Sequence, residues 1–236
     1  MYICQMYNAL VVPAIALRKE PRHPSELVSQ LIYGDRFRIV DQDGRWMYVE
    51  GVHDHYAGWA EMPVEFYQPV TDLKASLLVI SFSARLKGPI GDLRIPMGSM
   101  VEPHSLITGE GSTANSKMAA LDALECIFRE LIGAPYLWGG RTGFGMDCSG
   151  LSQLYYRMLG VDISRDASQQ ARQGDDLFLS QVRPGDLLFF KNNLGKIIHV
   201  GMVYSDQRIL HASGLVRTDR FDEKGIYHER QKAYTH

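Results

Sequence analysis

Residues 139–150 read GGRTGFGMDCSG, and residues 151–160 continue as LSQLYYRMLG. Leu151, Leu154, Tyr155, Met158 and Leu159 fall at i, i+3, i+4, i+7 and i+8, and Gly160 follows them, so the spacing predicts an amphipathic helix. Counting back from that stripe puts Asp147 at the N-cap and Cys148 at the first helical position. A thiol placed there faces unpaired backbone N–H groups and the positive end of the helix dipole, and both favour thiolate over thiol. The same N–H groups can serve a developing oxyanion, and the preceding glycines let backbone or substrate approach closely. On this stretch alone two readings stand side by side: a capped helix with a buried cysteine, or a helix whose first side chain is a nucleophile.

Upstream, NSKMAALDALECIFRELIG carries Met118, Leu121, Leu124, Ile127, Phe128, Leu131 and Ile132 as a second helical stripe, with Asn115 or Ser116 as N-cap and Gly133 past its end. Cys126 lies within it and reads as a small buried hydrophobe, as does Cys4 in an edge-like strand. Downstream come a short polar helix, RDASQQARQ, and then the strand-like runs RPGDLLFF, KIIHVGMVY, RILHASG and GIYHERQKAYTH. Helices followed by antiparallel strands make an α+β unit.

A nucleophilic cysteine needs a base, and the base needs a group that orients it. His199 in KIIHVGMVY and His211 in RILHASG lie on consecutive strands. With a hairpin turn at Ser205-Asp206-Gln207 they come within about one residue of being cross-strand neighbours. One imidazole can then accept the thiol proton while the other holds its ring, and Gly201 leaves room for the helix end that carries Cys148. A satisfied core histidine is the rival reading for either position. One cysteine with two histidines also resembles a zinc ligand set, but no closely spaced Cys or His pair and no fourth ligand accompany them. His23, His53, His55, His104, His228 and His236 read as surface residues in loops or near the termini.

Residues 1–72 read as short strands separated by turns, with Asp43-Gly44 between Ile39-Val40 and Trp46–Val49 as a hairpin signal, and the spacing suggests a small barrel. Residues 73–114 keep β character but are rich in Gly, Pro and Ser, so they read as a second small β unit or an elaborate linker; the α+β unit follows as 115–236. The chain's 45% hydrophobic and 22% charged residues suit a globular protein with a sizeable core. A net charge of −2 gives no whole-chain pull toward nucleic acid or anionic lipid. Three unevenly spaced cysteines argue against a disulfide framework and for a reducing compartment. The apolar run Ala9–Leu17 contains Pro13 and precedes Arg18 and Lys19, the reverse of a secretory leader, and it is too short to span a bilayer. A cytoplasmic protein is expected, although a chain trimmed of its leader would read the same.

PYLWGG, DCSGL, ISRDASQQ, VRPGDLLFF, HVGMVY and ILHASG together resemble, in order, the successive motifs of the NlpC/P60 family of papain-like cysteine peptidases that act on bacterial cell-wall peptides. The resemblance covers roughly residues 115–236 and implies Cys148 as nucleophile, His199 as general base and acid, and His211 as the residue that orients it. It also implies that Tyr136, Trp138, Asp147 and Ser149 border the bound peptide, with Tyr136 near the oxyanion site, and that no cofactor is needed. Residues 1–72 resemble the bacterial SH3 domain that precedes the catalytic domain in the γ-D-glutamyl-L-diamino acid endopeptidases. HDHYAGWAEM is similar to the loop that brings a tyrosine into that active site, which puts Tyr56 there. Asp166 matches the acid that binds the free ammonium of the substrate, where Ala167 stands in place of a frequent serine. The substrate implied is a murein-derived peptide, L-Ala-γ-D-Glu-diamino acid. A secreted hydrolase of intact wall and a non-catalytic wall-binding protein are the alternatives.

Overall fold

A computed structural model describes residues 7–70, 76–103, 105–107, 110–115 and 117–236. Cys4, His104 and the Ser116 alternative for the helix cap lie outside the described residues.

Pro13 divides the apolar run 9–17. Because its nitrogen carries no proton to donate to a ladder, the run forms two strands, β1 (Tyr7–Leu10) and β2 (Ala14–Arg18), rather than one. With β3 (Leu27–Ile32), β4 (Arg36–Asp43), β5 (Trp46–Gly51), β6 (Ala57–Glu61) and β7 (Tyr67–Val70) they make a seven-stranded antiparallel sheet in the order β3-β2-β6-β5-β4-β1-β7. Its buried face holds Leu10, Leu17, Leu31, Phe37, Val49 and Met62. The β4–β5 hairpin pairs Asp43 with Trp46, so the turn is Gly44-Arg45, one residue later than the sequence signal suggests, with Gly44 at φ +57°.

Residues 77–114 contain β8 (Leu77–Val79), β9 (Ser83–Gly88), β10 (Gly91–Pro96), β11 (Met100–Val101) and β12 (Thr113–Ala114). They enclose a small core of their own from Val79, Leu86, Leu93, Ile95 and Val101.

The remainder carries α1 (Ala120–Leu131), the short hairpin β13 (Arg141–Thr142) and β14 (Gly145–Met146), α2 (Cys148–Met158) and α3 (Ala167–Gln170). A six-stranded sheet follows in simple sequential order: β15 (Leu187–Lys191), β16 (Ile197–Ser205), β17 (Arg208–Ser213), β18 (Leu215–Asp222), β19 (Gly225–His228) and β20 (Ala233–Tyr234). Leu151, Leu154, Tyr155 and Met158 on α2 pack with Leu124, Ile127 and Leu131 on α1 and with Met202, Leu210 and Val216 on the sheet. α1 begins at Ala120, later than its stripe predicts, and no side chain caps it. The reason lies in α2: the Lys117 and Met118 N–H groups donate to the Met158 carbonyl at the end of that helix, at 2.9 and 2.8 Å, and this extended path postpones the start of α1. Leu121 and Ile132, placed on the stripe by spacing, stay exposed.

The barrel and the α+β unit meet through buried polar contacts. Asp35 of the barrel accepts from Arg141 at 2.7 Å, from Arg157 on α2 at 2.6 Å and from the Ile32 N–H at 3.0 Å. Burial alone would raise its pKa, but the two guanidinium groups outweigh that and hold the carboxyl well below its usual range. Gly139, at φ +76°, lies so close to the barrel that a Cβ there would come within 2.5 Å of the Leu27 carbonyl oxygen. That close approach is one reason PYLWGG ends in glycine.

Candidate active site

α2 starts as its sequence predicts. Asp147 is the N-cap and its side chain accepts from the Gly150 N–H at 2.7 Å, with Cys148 as the first helical residue. A Cβ at Gly150 would lie 2.5 Å from the Gly140 carbonyl oxygen, so the glycines around the cysteine let two backbone segments close on each other. The cysteine is buried, and that burial sets its acid–base state. Desolvation, joined by the charge of Asp147, pushes the Cys148 thiol up to about 11, against the pull of the Val200 and Ser149 N–H groups and Arg165. The helix terminus alone predicts a lowered thiol pKa; in the folded protein desolvation wins, and the resting cysteine is a neutral thiol.

His199 on β16 and His211 on β17 are buried, and their rings meet with His199 Nε2 2.8 Å from His211 Nδ1. The register Met202↔Leu210, carried back one step, sets Gly201 opposite His211 and leaves His199 two residues along. That offset exceeds the one residue expected from the turn, and being even it keeps both rings on one face. A Cβ at Gly201 would come within 2.8 Å of His211 Cβ and 2.6 Å of Ile209 Cδ1, so the room it leaves goes to β17 rather than to α2.

The chain of contacts continues past the residues that sequence reasoning found. His211 Nε2 lies 3.0 Å from Asp219 Oδ2 on β18, and Arg217 donates to Asp219 Oδ1 at 2.6 Å. Burial would raise Asp219, but the hydrogen bonds from His211 and Arg217 outweigh it and hold the carboxyl below its ordinary value. An ionised carboxylate can only accept, so His211 Nε2 carries a proton and its Nδ1 accepts from His199 Nε2. His199 Nδ1 is then left as a lone pair. Burial first, and then the neighbouring His236 and His211, push the His199 pKa down to about 2, so the ring rests neutral. A neutral imidazole with its Nδ1 lone pair held by a three-member chain can take a proton from a thiol. Replacing Asp219 with asparagine offers His211 Nε2 an amide donor and reverses the proton order along the chain. That variant is expected to stay folded and to lose about 10²–10³-fold in kcat with KM nearly unchanged; steady-state kinetics check it, and an unchanged kcat would mean that Asp219 does not hold the tautomer.

His236 stacks on His199 with ring centroids 4.0 Å apart and planes inclined by 21°, covering one face of the ring. It is therefore not a free surface residue, and neither are two other histidines. His228 Nε2 lies 2.7 Å from Arg217, and His53 Nε2 lies 3.0 Å from Arg141 and 3.3 Å from Asp54. His23 and His55 are exposed as expected. Spacing could not place the other three, because their contacts with Arg141, Arg217 and His199 depend on how the strands and domains assemble. Among the described residues no group of three or more His, Cys, Asp or Glu side chains could hold a metal ion.

A cleft of about 650 Å³ opens over Cys148 between the barrel and the α+β unit, and Tyr56, Trp138, Asp147, Ser149 and Asp166 line it. Tyr56 of the barrel and Asp166 of the α+β unit both line this cleft, close enough for the carboxylate charge to act on the tyrosine hydroxyl. Burial raises Asp166, and burial together with the Asp166 charge raises Tyr56 to about 12. Asp166 heads α3 without a side-chain capping bond. Tyr136 is half-buried; burial and then the charges of Cys148 and Asp147 raise its hydroxyl, which marks it as a neighbour of the thiol. Trp138, 60% exposed, donates from Nε1 to Glu26 of the barrel at 2.9 Å.

Asp147 and Ser149 are committed elsewhere. Arg165, only 1% exposed, donates to Asp147 Oδ1 and Oδ2 at 3.0 and 2.6 Å, to Ser149 Oγ at 2.8 Å and to Ser29 Oγ of the barrel at 3.0 Å. Its side chain thereby fixes the head of α2 against the barrel. The Gln153 amide on α2 does the same one turn later, donating to Asp54 Oδ2 and to the Ile163 carbonyl, each at 3.0 Å, while Asp54 Oδ1 accepts the Tyr56 N–H at 3.0 Å. One amide thus ties the cysteine helix to both the Tyr56 loop and the segment that leads into Asp166.

Comparison with known proteins bears on the same residues. Residues 133–234 match the model of the NlpC/P60 family, and residues 17–62 match that of the bacterial dipeptidyl-peptidase Sh3 domain. The chain is 37% identical over 229 residues, 80% of its length and 68% of the relative's, to the gamma-D-glutamyl-L-lysine dipeptidyl-peptidase of Bacillus cereus (strain ATCC 10987 / NRS 248). It is 45% identical over 83 residues to the protein of that name from Bacillus subtilis (strain 168), a match that covers 34% of this chain and 28% of that protein. The crystal structure of an NlpC/P60 family protein from Bacillus cereus ATCC 10987 superposes with a TM-score of 0.77 at 21% identity, covering 93% of this chain and 95% of that one, which shows a shared fold. With the fold, the two matching domain models and the extended similarity in agreement, the chain belongs to the NlpC/P60 family of peptidases and carries a bacterial SH3 domain ahead of its peptidase domain.

Proposed function

We propose that this peptidase is a cysteine endopeptidase that hydrolyses the γ-D-glutamyl–diamino acid bond of murein-derived peptides whose N-terminal L-alanine is free. The observation that carries the reading is the placement of the Tyr56 hydroxyl and the Asp166 carboxylate beside each other in the cleft that also holds Cys148. Among the described residues Asp166 has no ion-pair partner of its own, because Arg165 beside it is taken by Asp147. A half-buried carboxylate in that position is matched by an ammonium group. The names of the similar Bacillus proteins support the γ-D-glutamyl linkage.

In this reading His199 Nδ1 removes the Cys148 proton as the sulfur attacks the γ-carbonyl carbon. The tetrahedral oxyanion lies against the first N–H groups of α2, near Tyr136. The imidazolium, steadied by His211 and Asp219, returns its proton to the leaving amine as the C–N bond breaks, leaving a thioester. Water, deprotonated by His199, then releases L-Ala-γ-D-Glu and the thiol. Such chemistry suits the recycling of wall peptides in the cytoplasm.

An acylated alanine has no ammonium for Asp166 and would drive a bulky amide into Tyr56. Free-amine peptides are therefore expected to be cut at least about 10²-fold faster than their N-acetyl counterparts, and Asp166→Asn is expected to remove most of that preference. Equal cleavage of both peptides by the unaltered protein would overturn the reading.

A further inference from the structure

Four groups of the cleft and its rim are charged and already matched. Asp147 is paired with Arg165, and Glu26 takes Trp138 Nε1 at 2.9 Å and faces Lys19 Nζ at 3.8 Å. Two charged groups that line the same cleft have no opposite charge within ion-pair reach among the described residues: the carboxylate of Asp166 and the guanidinium of Arg18. Arg18 ends β2 on the barrel wall, is half-buried, and holds one backbone carbonyl, with Nη1 donating to Ser25 O at 2.7 Å. A guanidinium carries five N–H donors in a rigid fork, so that single bond leaves most of its donors for a ligand.

One anion and one cation left open in a single cleft are the complement of a zwitterionic ligand. A peptide joined through the γ-carboxyl of glutamate is such a ligand, because the linkage leaves the α-carboxylate free one residue from the α-ammonium. Position 167 is alanine and the Ser149 hydroxyl is engaged by Arg165, so among the described groups lining this cleft Arg18 alone offers an unpaired positive charge to that carboxylate. We propose that Arg18 is the specificity residue that binds the free α-carboxylate of the γ-linked glutamate, opposite the ammonium held at Asp166. This rests on the function proposed above and deepens it. Arg18 distinguishes a γ-linked glutamate from an isoglutamine whose α-carboxylate is amidated, and it does so from the barrel, which makes the SH3 domain part of the substrate site.

The test uses the full chain and two peptides that differ at one group, L-Ala-γ-D-Glu-L-Lys and its D-isoglutamine counterpart. The unaltered protein is expected to favour the free carboxylate about 10- to 100-fold in kcat/KM, the range of a charge-assisted hydrogen bond. Arg18→Gln keeps a donor for the Ser25 carbonyl and is expected to bring the ratio close to one by slowing the glutamate peptide alone. Lys19→Gln, which removes an ammonium already facing Glu26, leaves the ratio intact. Three results would overturn the assignment: equal cleavage of the two peptides by the unaltered protein, a ratio that survives Arg18→Gln, or equal slowing of both peptides in that variant, which would signal a structural role. Cleavage of neither peptide by the unaltered protein would sink the underlying function as well, and so separates that failure from the others.

Discussion

Cys148→Ala is expected to fold as the parent does and to lose roughly 10⁴–10⁶-fold in kcat, down to the residual rate that binding and the oxyanion donors alone supply. The fold should tolerate the change, because the thiol is a small buried group that no side chain depends on for an ion pair among the described residues, and alanine suits the first turn of a helix. His199→Ala should cost about as much, since a thiol with a pKa of about 11 cannot attack at neutral pH without a base beside it. Because the two act as one unit, the double variant should be no slower than either single one. Initial rates on the tripeptide, with thermal unfolding as a check on folding, measure both. Multiplicative losses in the double variant would mean that the thiol and the imidazole act in separate steps.

Arg165→Met is expected to lower stability by about 3–5 kcal/mol, the typical cost of leaving a buried carboxylate without its partner. The side chain is 1% exposed, and its removal strips Asp147 of both guanidinium bonds while Ser149 and Ser29 lose a donor. Asp147 is also the N-cap of the cysteine helix and accepts the Gly139 N–H at 2.9 Å, so the damage falls at the head of α2 and at the barrel contact together. Urea unfolding measures the loss. Arg165→Lys should recover part of it, because an ammonium restores the charge but not the two-pronged bond. A loss below about 1 kcal/mol in the methionine variant would show that Asp147 is satisfied by its backbone donors alone.

Local signals in the sequence were sufficient where one segment decides the outcome. The 3.6-residue stripe after Cys148 fixes α2, its N-cap and the position of the thiol. Alternation along KIIHVGMVY and RILHASG brings two imidazoles onto adjoining strands. What stayed hidden depends on partners far apart in sequence. Asp219 joins His211 only through the β17–β18 turn at Gly214, which pairs His211 with Arg217 and puts Asp219 on the same face. Counting across that turn would have revealed it. Arg165 and Gln153 read as ordinary polar residues, because their importance comes from Ser29 and Asp54 on the barrel, more than ninety residues away. His236 reaches His199 only through the β19–β20 pairing, which no spacing rule announces. The acid–base state of Cys148 escapes the sequence for a related reason: a helix terminus is visible there, whereas the burial that outweighs it belongs to the assembled cleft.

The central claim is that Cys148 cuts one particular amide bond, and mass spectrometry of a peptide digest tests it directly. L-Ala-γ-D-Glu-L-Lys and its diaminopimelate counterpart, incubated with the protein, should each yield L-Ala-γ-D-Glu and the free diamino acid, with no other fragment and no cleavage by Cys148→Ala. Cleavage between alanine and glutamate, or product formed at an undiminished rate by Cys148→Ala, would contradict it.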